Sequence, residues 1–338
     1  MKEAEVGLKT KANKAYFMLK KLHKDLTRDR QIYQLADDMH SPVLGDYYFI
    51  MTEEQMRSGH SQDFHFDEKG IPIIPTYIDI RERELIYYPI SIGQYGLAIW
   101  HSYLRDRSLE NRRRFLAIAD WFLANCIEGP KLGAYWLTHV DKPAYQISKP
   151  WKSAFSQARA INICLRAFQL TGSADYEKCA TLALQPFASS VEDGGVAQPL
   201  EEGAFYEEYP AHVPVLVLNG MIFALCGVQD YLRLYPEHEL ATRIMNDGVK
   251  ALVNLLPLYD MGFWSKYALC EADFHPEVDP ATIGYHHLHI IQLEMMHRLT
   301  NIDIFAAYAH KWRDYVTPRN ILRMYSVKYR ALRKMRRL

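Results

Sequence analysis

An acidic and phenolic segment stands immediately before a long apolar run of the sequence. Glu207, Glu208 and Tyr209 come first, Pro214 marks the predicted first turn of a helix, and from position 215 the chain reads VLVLNGMIFALCGVQDYL. That run is apolar nearly all round, which predicts a helix buried on most sides. A proline in the first turn removes no helical hydrogen bond, so Pro214 fits this start. We therefore expect Glu208 and Tyr209 at the rim of a buried helix, where a carboxylate and a phenol can transfer protons.

Two more tyrosines occupy corresponding places later in the chain. Tyr267 stands in the loop before the next apolar helix, and Tyr285 stands at the start of that helix. A phenol has a reference pKa of about 10, so it is a weak base until neighbouring cations or hydrogen bonds lower that pKa. With a lowered pKa it suits abstraction of a weakly acidic C–H proton, and the neutral phenol can return a proton. Each tyrosine taken singly also fits a structural role, whereas three of them converging with Glu208 predict a proton-transfer site.

Three histidines, at positions 286, 287 and 289, follow Tyr285. Only His286 and His289 share a helix face, and no carboxylate stands at a ligand spacing in that turn, so the pattern disfavours a metal site. Because a helix N-terminus favours anions, we expect a histidine such as His287 to orient a substrate carboxylate. The sequence has no P-loop, GxGxxG, GxSxG or HExxH motif, and we predict neither a metal nor a cofactor.

A repeated pattern predicts the elements that carry these residues. An aromatic residue next to proline precedes a long apolar helix three times, and a fourth such helix begins with glycine instead: Tyr88-Pro89, Pro150-Trp151, Tyr209-Pro210 and Gly284-Tyr285. A second, more amphipathic helix follows each one, near residues 108–126, 174–187, 237–256 and 302–316. The repeat predicts a mainly α fold, an (α/α) barrel or toroid of about four helix hairpins. The long loops between hairpins would then meet where the apolar helices begin, and we expect the chemistry there.

The sequence divides into four predicted regions. Residues 1–30 have the periodicity of an amphipathic helix, and residues 31–86 alternate like strands in a small β-rich region, with a hairpin turn at Asp67–Gly70. Residues 87–317 form the predicted barrel. Residues 318–338 carry eight Arg/Lys and no acid, which predicts a basic C-terminal helix or tail.

The composition disfavours several classes of protein. The 338 residues carry equal numbers of basic and acidic side chains, with basic ends that fit an anionic polymer, a membrane surface or solvated tails. No apolar stretch is long enough for a transmembrane helix, and no signal peptide is visible. The five cysteines are widely spaced, which favours free thiols in a reducing compartment. We therefore predict a cytoplasmic protein with no integral membrane segment and no nucleic-acid partner, and peripheral membrane association stays open.

Five segments of the chain carry a family resemblance: YYPISIGQYGL (87–97), WKSAFSQARAI (151–161), EEYPAHVPVLVLNGMIFAL (207–225), LPLYDMGFWSKYAL (256–269) and YHHLHIIQLEMM (285–296). They resemble the C-terminal domain of the D-glucuronyl C5-epimerases, which convert D-glucuronate to L-iduronate within heparosan-type polysaccharide. The resemblance implies an (α/α) barrel preceded by a smaller β region, often as a homodimer. It also implies that the family's active-site tyrosines, in EYP, YDL and DYH motifs, correspond to Tyr209, Tyr267 and Tyr285, with Glu208 beside the first.

The chain departs from that family at a residue expected to hold the substrate carboxylate. Animal enzymes read YDLRH where this chain has Tyr267 followed by Ala-Leu-Cys, so an arginine is absent. Arg159, Lys266 and His287 are the candidates to replace its charge. The other candidate substrate-binding residues lie in the same family-like segments and are Gln157, Trp151, Tyr88 and Asn219.

Together these features predict a C5-epimerase that acts on an anionic uronate polysaccharide. It would remove the C5 proton next to the glucuronate carboxylate, stabilise the enediolate and return a proton to the opposite face. Tyr267 with Tyr285 or Tyr209 is the predicted pair of phenols. Two alternatives share the fold: a polysaccharide lyase that expels the C4 oxygen, and a non-catalytic glycan-binding protein. A glycoside hydrolase is disfavoured because Glu207 and Glu208 are adjacent, with no second acid clearly placed opposite them.

Overall fold

The structure is a computed structural model that describes residues 33–59, 64–77, 80 and 84–335, together with positions 16, 19 and 23. The helix predicted over residues 1–30 therefore lies largely outside the described residues. Within the described part, α-helices dominate and the strands are short, which confirms the mainly α fold.

Helix hairpins make up most of the described chain. The helices are α1 (Glu53–Gly59), α2 (Pro89–Asp106), α3 (Leu109–Ala124), α4 (Ala154–Thr171), α5 (Ala174–Leu182), α6 (Leu218–Leu234), α7 (Glu239–Leu255), α8 (Ile283–Thr300), α9 (Asp303–Asp314) and α10 (Pro318–Lys334). Consecutive helices pack against each other in four pairs, which are the hairpins that the repeat predicted: α2 with α3, α4 with α5, α6 with α7 and α8 with α9. The first helix of each pair buries half or more of its residues, as its apolar sequence requires.

The first helices of the hairpins pack side by side in chain order, α2 against α4, α4 against α6 and α6 against α8. Helices α4 and α6 approach closely at Gly227, where an added Cβ would lie 2.5 Å from the Cα of Ala158. Only glycine permits that approach of two helix backbones. No comparably extensive contact joins α8 back to α2 among the described residues, so a closed toroid is not confirmed.

Helix α6 begins at Leu218, later than the predicted start near Pro214. The cause is Glu207, whose carboxylate accepts the backbone N–H groups of Val215 at 2.9 Å and Leu216 at 3.1 Å. Leu216 has a left-handed backbone with φ of 53°, a conformation that an α-helix does not contain. The prediction of a helix from Val215 is therefore wrong, and the segment before α6 is a loop held by a buried carboxylate.

The strands form small antiparallel sheets. They are β1 (Gln34–Leu35) with β2 (Phe49–Ile50), β3 (His65–Phe66) with β4 (Pro72–Pro75) and β5 (Leu85–Ile86), β6 (Ile127–Gly129) with β7 (Gly133–Tyr135), and β8 (Ala197–Pro199) with β9 (Ala204–Tyr206). The turn between β3 and β4 is the predicted hairpin. Asp67 Oδ1 accepts from the N–H groups of Lys69 at 2.9 Å and Ile71 at 2.8 Å. Gly70 has φ of 78°, which explains glycine at this position.

One hydrophobic core joins the N-terminal strands to the hairpins. Phe49 of β2 packs edge-on against Phe223 of α6, with ring centroids 5.4 Å apart. A second, smaller core lies between α10 and the loop before α8 and consists of Phe263, Trp264, Ile283 and Met324. Helix α10 is thus a packed element of the fold. None of the described helices combines the length and apolarity needed to cross a bilayer.

Candidate active site

Glu208 lies buried in the segment that leads into α6, against the backbone of that helix. A Cβ added at Gly220 would lie 2.4 Å from Glu208 Oε2, so glycine is what allows the carboxylate to pack there. The Glu208 residue is 5% exposed. Burial raises the pKa of Glu208 to about 7, although a hydrogen bond with Tyr209 and the charge of Lys142 act to lower it. A carboxyl group with such a pKa is matched to general acid–base catalysis near neutral pH.

Tyr209 lies among aromatic side chains of the loop between β7 and α4. Its ring centroid is 5.1 Å from that of Tyr145 and 5.6 Å from that of Trp151. The Nζ of Lys142 lies 4.7 Å from the Tyr209 centroid and 3.6 Å from that of Tyr77. Lys142 is 7% exposed, and a desolvated cation–π contact of this kind stabilises by roughly 2 kcal/mol. The loop thus brings a buried ammonium group against two phenols.

Tyr88, immediately before α2, adds a further phenol to this group through its contact with Tyr77. The Tyr77 hydroxyl donates to the Tyr88 hydroxyl at 3.0 Å, and the two rings meet edge to face with centroids 6.2 Å apart. Burial raises the pKa of Tyr77 and of Tyr88 well above the usual value. These phenols therefore stay protonated at neutral pH and act as hydrogen-bond donors.

Tyr267 and Tyr285 meet edge to face, with ring centroids 4.9 Å apart. Tyr285 is 36% exposed, so the site opens to solvent here. Burial raises the pKa of Tyr267 well above 10, and the charges of Glu208 and Tyr285 add to the rise. Tyr209 and Tyr267, from two different loops, therefore both interact electrostatically with the Glu208 carboxylate. We name this set the mouth cluster, which consists of Glu208, Tyr209, Tyr267, Tyr285, Tyr88, Tyr77, Tyr145 and Lys142.

Helix α10 helps to hold Tyr267 in place. The Tyr267 N–H donates to the Asp279 carbonyl at 2.8 Å, and the Tyr267 carbonyl accepts from the N–H of Leu218 at 3.3 Å. Lys328 of α10 donates to Asp279 Oδ1 at 2.6 Å and to the Pro280 carbonyl at 2.9 Å. The backbone of the catalytic candidate is thereby tied to α6 on one side and to α10 on the other.

The pKa values of the phenols differ from the sequence-based expectation. That expectation required cations or hydrogen bonds to lower the pKa of a tyrosine so that it acts as a base. For Tyr209 and Tyr267, burial instead raises the pKa well above 10, and the Glu208 charge adds to the rise. The group suited to accept a proton at neutral pH is therefore Glu208, and the phenols are suited to donate.

Two predicted substrate-binding residues lie in the core instead. Gln157 has no exposed surface, and its amide donates to the carbonyl oxygens of Ala134 at 2.8 Å and Ala183 at 3.1 Å. Arg159 has none either, and its guanidinium lies 4.8 Å from the ring centroid of Phe223. The structure corrects both predictions, because the two side chains are fully buried and form their hydrogen bonds within the core.

Arg159 belongs to a second polar group between α4 and α6. It donates to Asn162 Oδ1 at 2.9 Å, and Asn162 donates in turn to Asp230 Oδ2 at 2.6 Å. Arg166 also donates to Asp230, and Arg233 lies 3.5 Å from its other oxygen. We name this set the core arginine cluster, which consists of Arg159, Asn162, Arg166, Asp230 and Arg233.

Three other predicted residues lie in the segments that carry the mouth cluster. Asn219 is in the first turn of α6 next to Gly220, and its buried Oδ1 has no hydrogen-bond partner among the described residues. Lys266 is half-buried and directly precedes Tyr267, and half-buried His287 is two residues after Tyr285. Their role in substrate binding, like that of Trp151, stays a prediction.

The neighbouring histidines have structural contacts instead. The Oγ of Ser265 lies 2.7 Å from His286 Nδ1 and 3.0 Å from His289 Nδ1. Burial lowers the pKa of each of these two histidines to about 3, so both are neutral. They link the start of α8 to the loop that carries Tyr267. No three His, Cys, Asp or Glu side chains converge as a metal site in the part of the chain that the structure describes.

Sequence reasoning missed four residues beside the site: Lys142, Tyr145, Tyr77 and His275. The His275 ring stacks on Tyr145 with centroids 5.6 Å apart. The signal for Lys142 and Tyr145 was present, because both lie in a loop that was expected to contribute to the site. A lysine surrounded by aromatic residues in such a loop is typical of a functional cation.

Comparison with known proteins places these residues in a family. Residues 133–314 match the family described as the D-glucuronyl C5-epimerase C-terminus. The chain is 27% identical to the D-glucuronyl C5-epimerase of Caenorhabditis elegans over 241 residues, which are 67% of this chain and 38% of that enzyme. It is also 30% identical over 249 residues to an uncharacterized protein of Methanocaldococcus jannaschii, across 72% of this chain and 78% of that protein. The motifs that carry Glu208, Tyr209, Tyr267 and Tyr285 all fall inside the matched range, and the chain belongs to the D-glucuronyl C5-epimerase family.

Proposed function

We propose that this protein is a C5-epimerase that converts D-glucuronate to L-iduronate residues within a heparosan-like polysaccharide. One observation carries the proposal: the Glu208 carboxyl group, with a pKa of about 7, lies among phenols whose pKa values are raised. This pairing supplies a proton acceptor and proton donors at the same pH. The arrangement lies within the residues that match the family.

Glu208 is the proposed base. The C5 proton of a glucuronate is acidic only when the enediolate that forms on its removal is stabilised. At neutral pH a carboxyl group with a pKa of about 7 is partly ionised, whereas the Tyr209 and Tyr267 phenols are protonated. Glu208 Oε2 packs against the start of α6, where a Cβ added at Gly220 would lie 2.4 Å from it. This assignment replaces the tyrosine base that the sequence suggested.

A phenol is the proposed acid on the opposite face. Tyr267 donates its proton to C5 of the planar enediolate, and Glu208 releases the proton taken from glucuronate to solvent once the product has left. Exposed Tyr285, whose ring touches Tyr267, then links the resulting phenolate to solvent for reprotonation. One proton leaves C5 and one arrives, so the reaction is an isomerisation and no bond of the polymer chain breaks.

The test is incubation of the protein with heparosan in deuterium oxide. An epimerase places deuterium at C5 and produces iduronate without cleavage, and nuclear magnetic resonance detects both. A lyase, the second candidate, yields unsaturated chain ends because it expels the C4 oxygen after the same first step. A glycan-binding protein without activity binds heparosan with no exchange.

Two variants and a matched control make the test specific. Tyr267→Phe and Glu208→Gln should each lose exchange while they retain heparosan binding. Tyr206→Phe is the control, because its hydroxyl donates to the Ile244 carbonyl at 2.7 Å, outside the mouth cluster. Exchange at the wild-type rate in both Tyr267→Phe and Glu208→Gln would contradict the proposed chemistry.

The closed (α/α) barrel, a homodimer and a location in the reducing cytoplasm belong to the same proposal. The described cysteines are all free thiols, in keeping with such a compartment. Sedimentation of the purified protein would test the dimer, whose absence would leave the chemistry of a single chain unchanged.

A further inference from the structure

Helix α10 is packed on one side and exposed on the other. On its inner side, Met324 belongs to the second core, and Lys328 donates to Asp279 Oδ1 at 2.6 Å. Ala331 and Leu332 are buried as well. The apolar face of this amphipathic helix is therefore already covered by the protein, and the face that remains in solvent is the polar one.

The polar face of α10 carries a row of cations. Five basic residues are exposed, and spacings of three, four and seven residues place them on one side of the helix: Arg319, Arg323, Arg330, Arg333 and Lys334. The helix has 17 residues, a length of roughly 25 Å, and contains no acidic residue. We name these five residues the basic face of α10.

The charges of the basic face are not compensated within the protein. None of the five cations forms an ion pair with a described residue, and the ion pair of α10 is that of Lys328 on the inner side. Arg323 lies 3.8 Å from the ring centroid of Phe263, and Arg330 Nε donates to the Ser326 carbonyl of the same helix at 3.4 Å. A guanidinium group has five N–H donors, so both arginines keep donors for a bound carboxylate.

The chemistry of α10 favours an anionic polymer over a lipid surface. A helix that binds in a membrane surface buries its apolar face in the lipid. The apolar face of α10 packs against the protein instead, and Leu322 and Tyr329 are the large apolar side chains that the helix exposes. A row of uncompensated cations complements a polymer with a carboxylate on each uronate residue.

The position of α10 favours the polymer that enters the mouth cluster over another polyanion. Lys328 Nζ lies 6.0 Å from the Tyr267 ring centroid, and it also binds Asp279, whose carbonyl accepts from the Tyr267 N–H. A polysaccharide with one sugar beside Tyr267 therefore has neighbouring parts of its chain close to α10. The basic face lies on the other side of the helix from Lys328, so it forms a separate surface.

We propose that the basic face of α10 is a second binding surface for the uronate polysaccharide, outside the mouth cluster. The inference rests on the proposed function for the identity of the polymer. A chain that contacts both surfaces binds more tightly than a fragment that fills only the mouth cluster, because the second contact forms within one complex. Affinity should therefore depend on the length of the polysaccharide.

The experiment compares long heparosan with a heparosan tetrasaccharide by calorimetry. The triple variant Arg319→Gln/Arg330→Gln/Arg333→Gln should bind the polymer about tenfold more weakly than the wild type and bind the tetrasaccharide within about twofold of it. Raising the salt concentration should weaken binding of the polymer to the wild type more than to the variant. In deuterium oxide, the variant should show a KM for the polymer about tenfold higher with kcat unchanged.

A second triple variant controls for the loss of positive charge. Arg113→Gln/Lys178→Gln/Arg243→Gln removes the same charge at exposed positions on α3, α5 and α7, and should leave the affinity for the polymer within about twofold of the wild type. Thermal unfolding should confirm that both triple variants are folded. Equal weakening in the two triple variants, or an unchanged affinity of the α10 variant for the polymer, would overturn the inference.

Two other partners are tested with the same proteins. Binding to anionic phospholipid vesicles or to duplex DNA that is lost in the α10 variant, while its affinity for heparosan stays unchanged, would assign the basic face to that partner and overturn the inference. Absence of exchange by the wild type would overturn the epimerase proposal alone, because calorimetry with heparosan still decides whether α10 binds the polymer.

Discussion

The mouth cluster and the core arginine cluster are both buried groups of polar side chains, yet they serve different ends. In the core arginine cluster, Asp230 and Arg166 have no exposed surface and pair directly. In the mouth cluster, the Glu208 carboxyl group is surrounded by phenols, and burial raises its pKa to about 7. The first cluster pairs a buried carboxylate with guanidinium groups inside the protein, and the second holds a carboxyl group that can gain or lose a proton near neutral pH.

The difference shows that burial of a polar group does not by itself identify a site. Arg159 was a candidate from its sequence motif, but it has no exposed surface and donates to the Tyr47 hydroxyl and to Asn162 in the core. Tyr285, in contrast, is 36% exposed and gives the mouth cluster a path to solvent. A functional cluster needs perturbed proton affinity together with access, and only the mouth cluster has both.

The largest expected effect is a loss of activity when the carboxylate of the mouth cluster is removed. Glu208→Gln should reduce the rate of deuterium exchange at C5 by about 1,000-fold, since loss of a general base costs 10²- to 10⁴-fold. Thermal unfolding should show no loss of stability, because the neutral amide avoids burial of a charge. An active Glu208→Gln variant would mean that another group accepts the C5 proton.

The core arginine cluster should respond in the opposite way. Asp230→Asn should lower the free energy of unfolding by about 3–5 kcal/mol, because it leaves the buried Arg166 guanidinium without its counter-charge. Chemical denaturation measures the change, and kcat of the folded fraction should stay near the wild-type value. Glu53→Gln is the control: its ion pair with Arg114 is partly exposed and should contribute below about 1 kcal/mol. A loss of kcat at full stability in Asp230→Asn would place this cluster in the site.

The pH dependence gives a third contrast. If Glu208 must be ionised to accept a proton, kcat should rise about tenfold between pH 6 and pH 8, around its pKa of about 7. The free energy of unfolding should instead fall as the pH rises. A folded-state pKa raised from 4.5 to about 7 contributes stability that is present below the unfolded value and is lost as the pH rises through about 7. Denaturation of Glu208→Gln against the wild type across this range should isolate the Glu208 contribution, and a parallel pH dependence of the two proteins would contradict it.

The smallest expected effect concerns a link between the mouth cluster and α10. Lys328→Gln should reduce kcat about fivefold with little change in KM, because Asp279 loses the ammonium group that fixes it beside the Tyr267 backbone. Steady-state kinetics measures kcat and KM separately. Lys311→Gln is the control, since its ion pair with Asp260 is exposed on the lysine side and lies on α9. An equal effect in both variants would indicate a general loss of positive charge instead of a positioning role for Lys328.

Part of the candidate site followed directly from the sequence. Glu208 and Tyr209 precede an apolar helix, Tyr267 precedes the next one and Tyr285 stands at its start, so a hairpin repeat brings them to the same end. The helices of each hairpin could be predicted because the apolar periodicity of a helix is visible within a short stretch of sequence. The same patterns predicted the start of α6 wrongly. There the backbone N–H groups of Val215 and Leu216 donate to the Glu207 side chain, and these residues form a loop instead of the first turn of the helix.

The sequence by itself determined the family, the helix hairpins and the segments that supply acid and phenol groups. These features depend on periodicity and motifs within short stretches of chain. The tertiary structure decided which cation faces the phenols, because it buries Arg159 between helices and brings Lys142 beside Tyr209. It also decided that the phenol pKa values rise and that Glu208 titrates near neutrality. Proton affinity depends on solvent exclusion and on charges from distant segments, and neither quantity exists before the chain has folded.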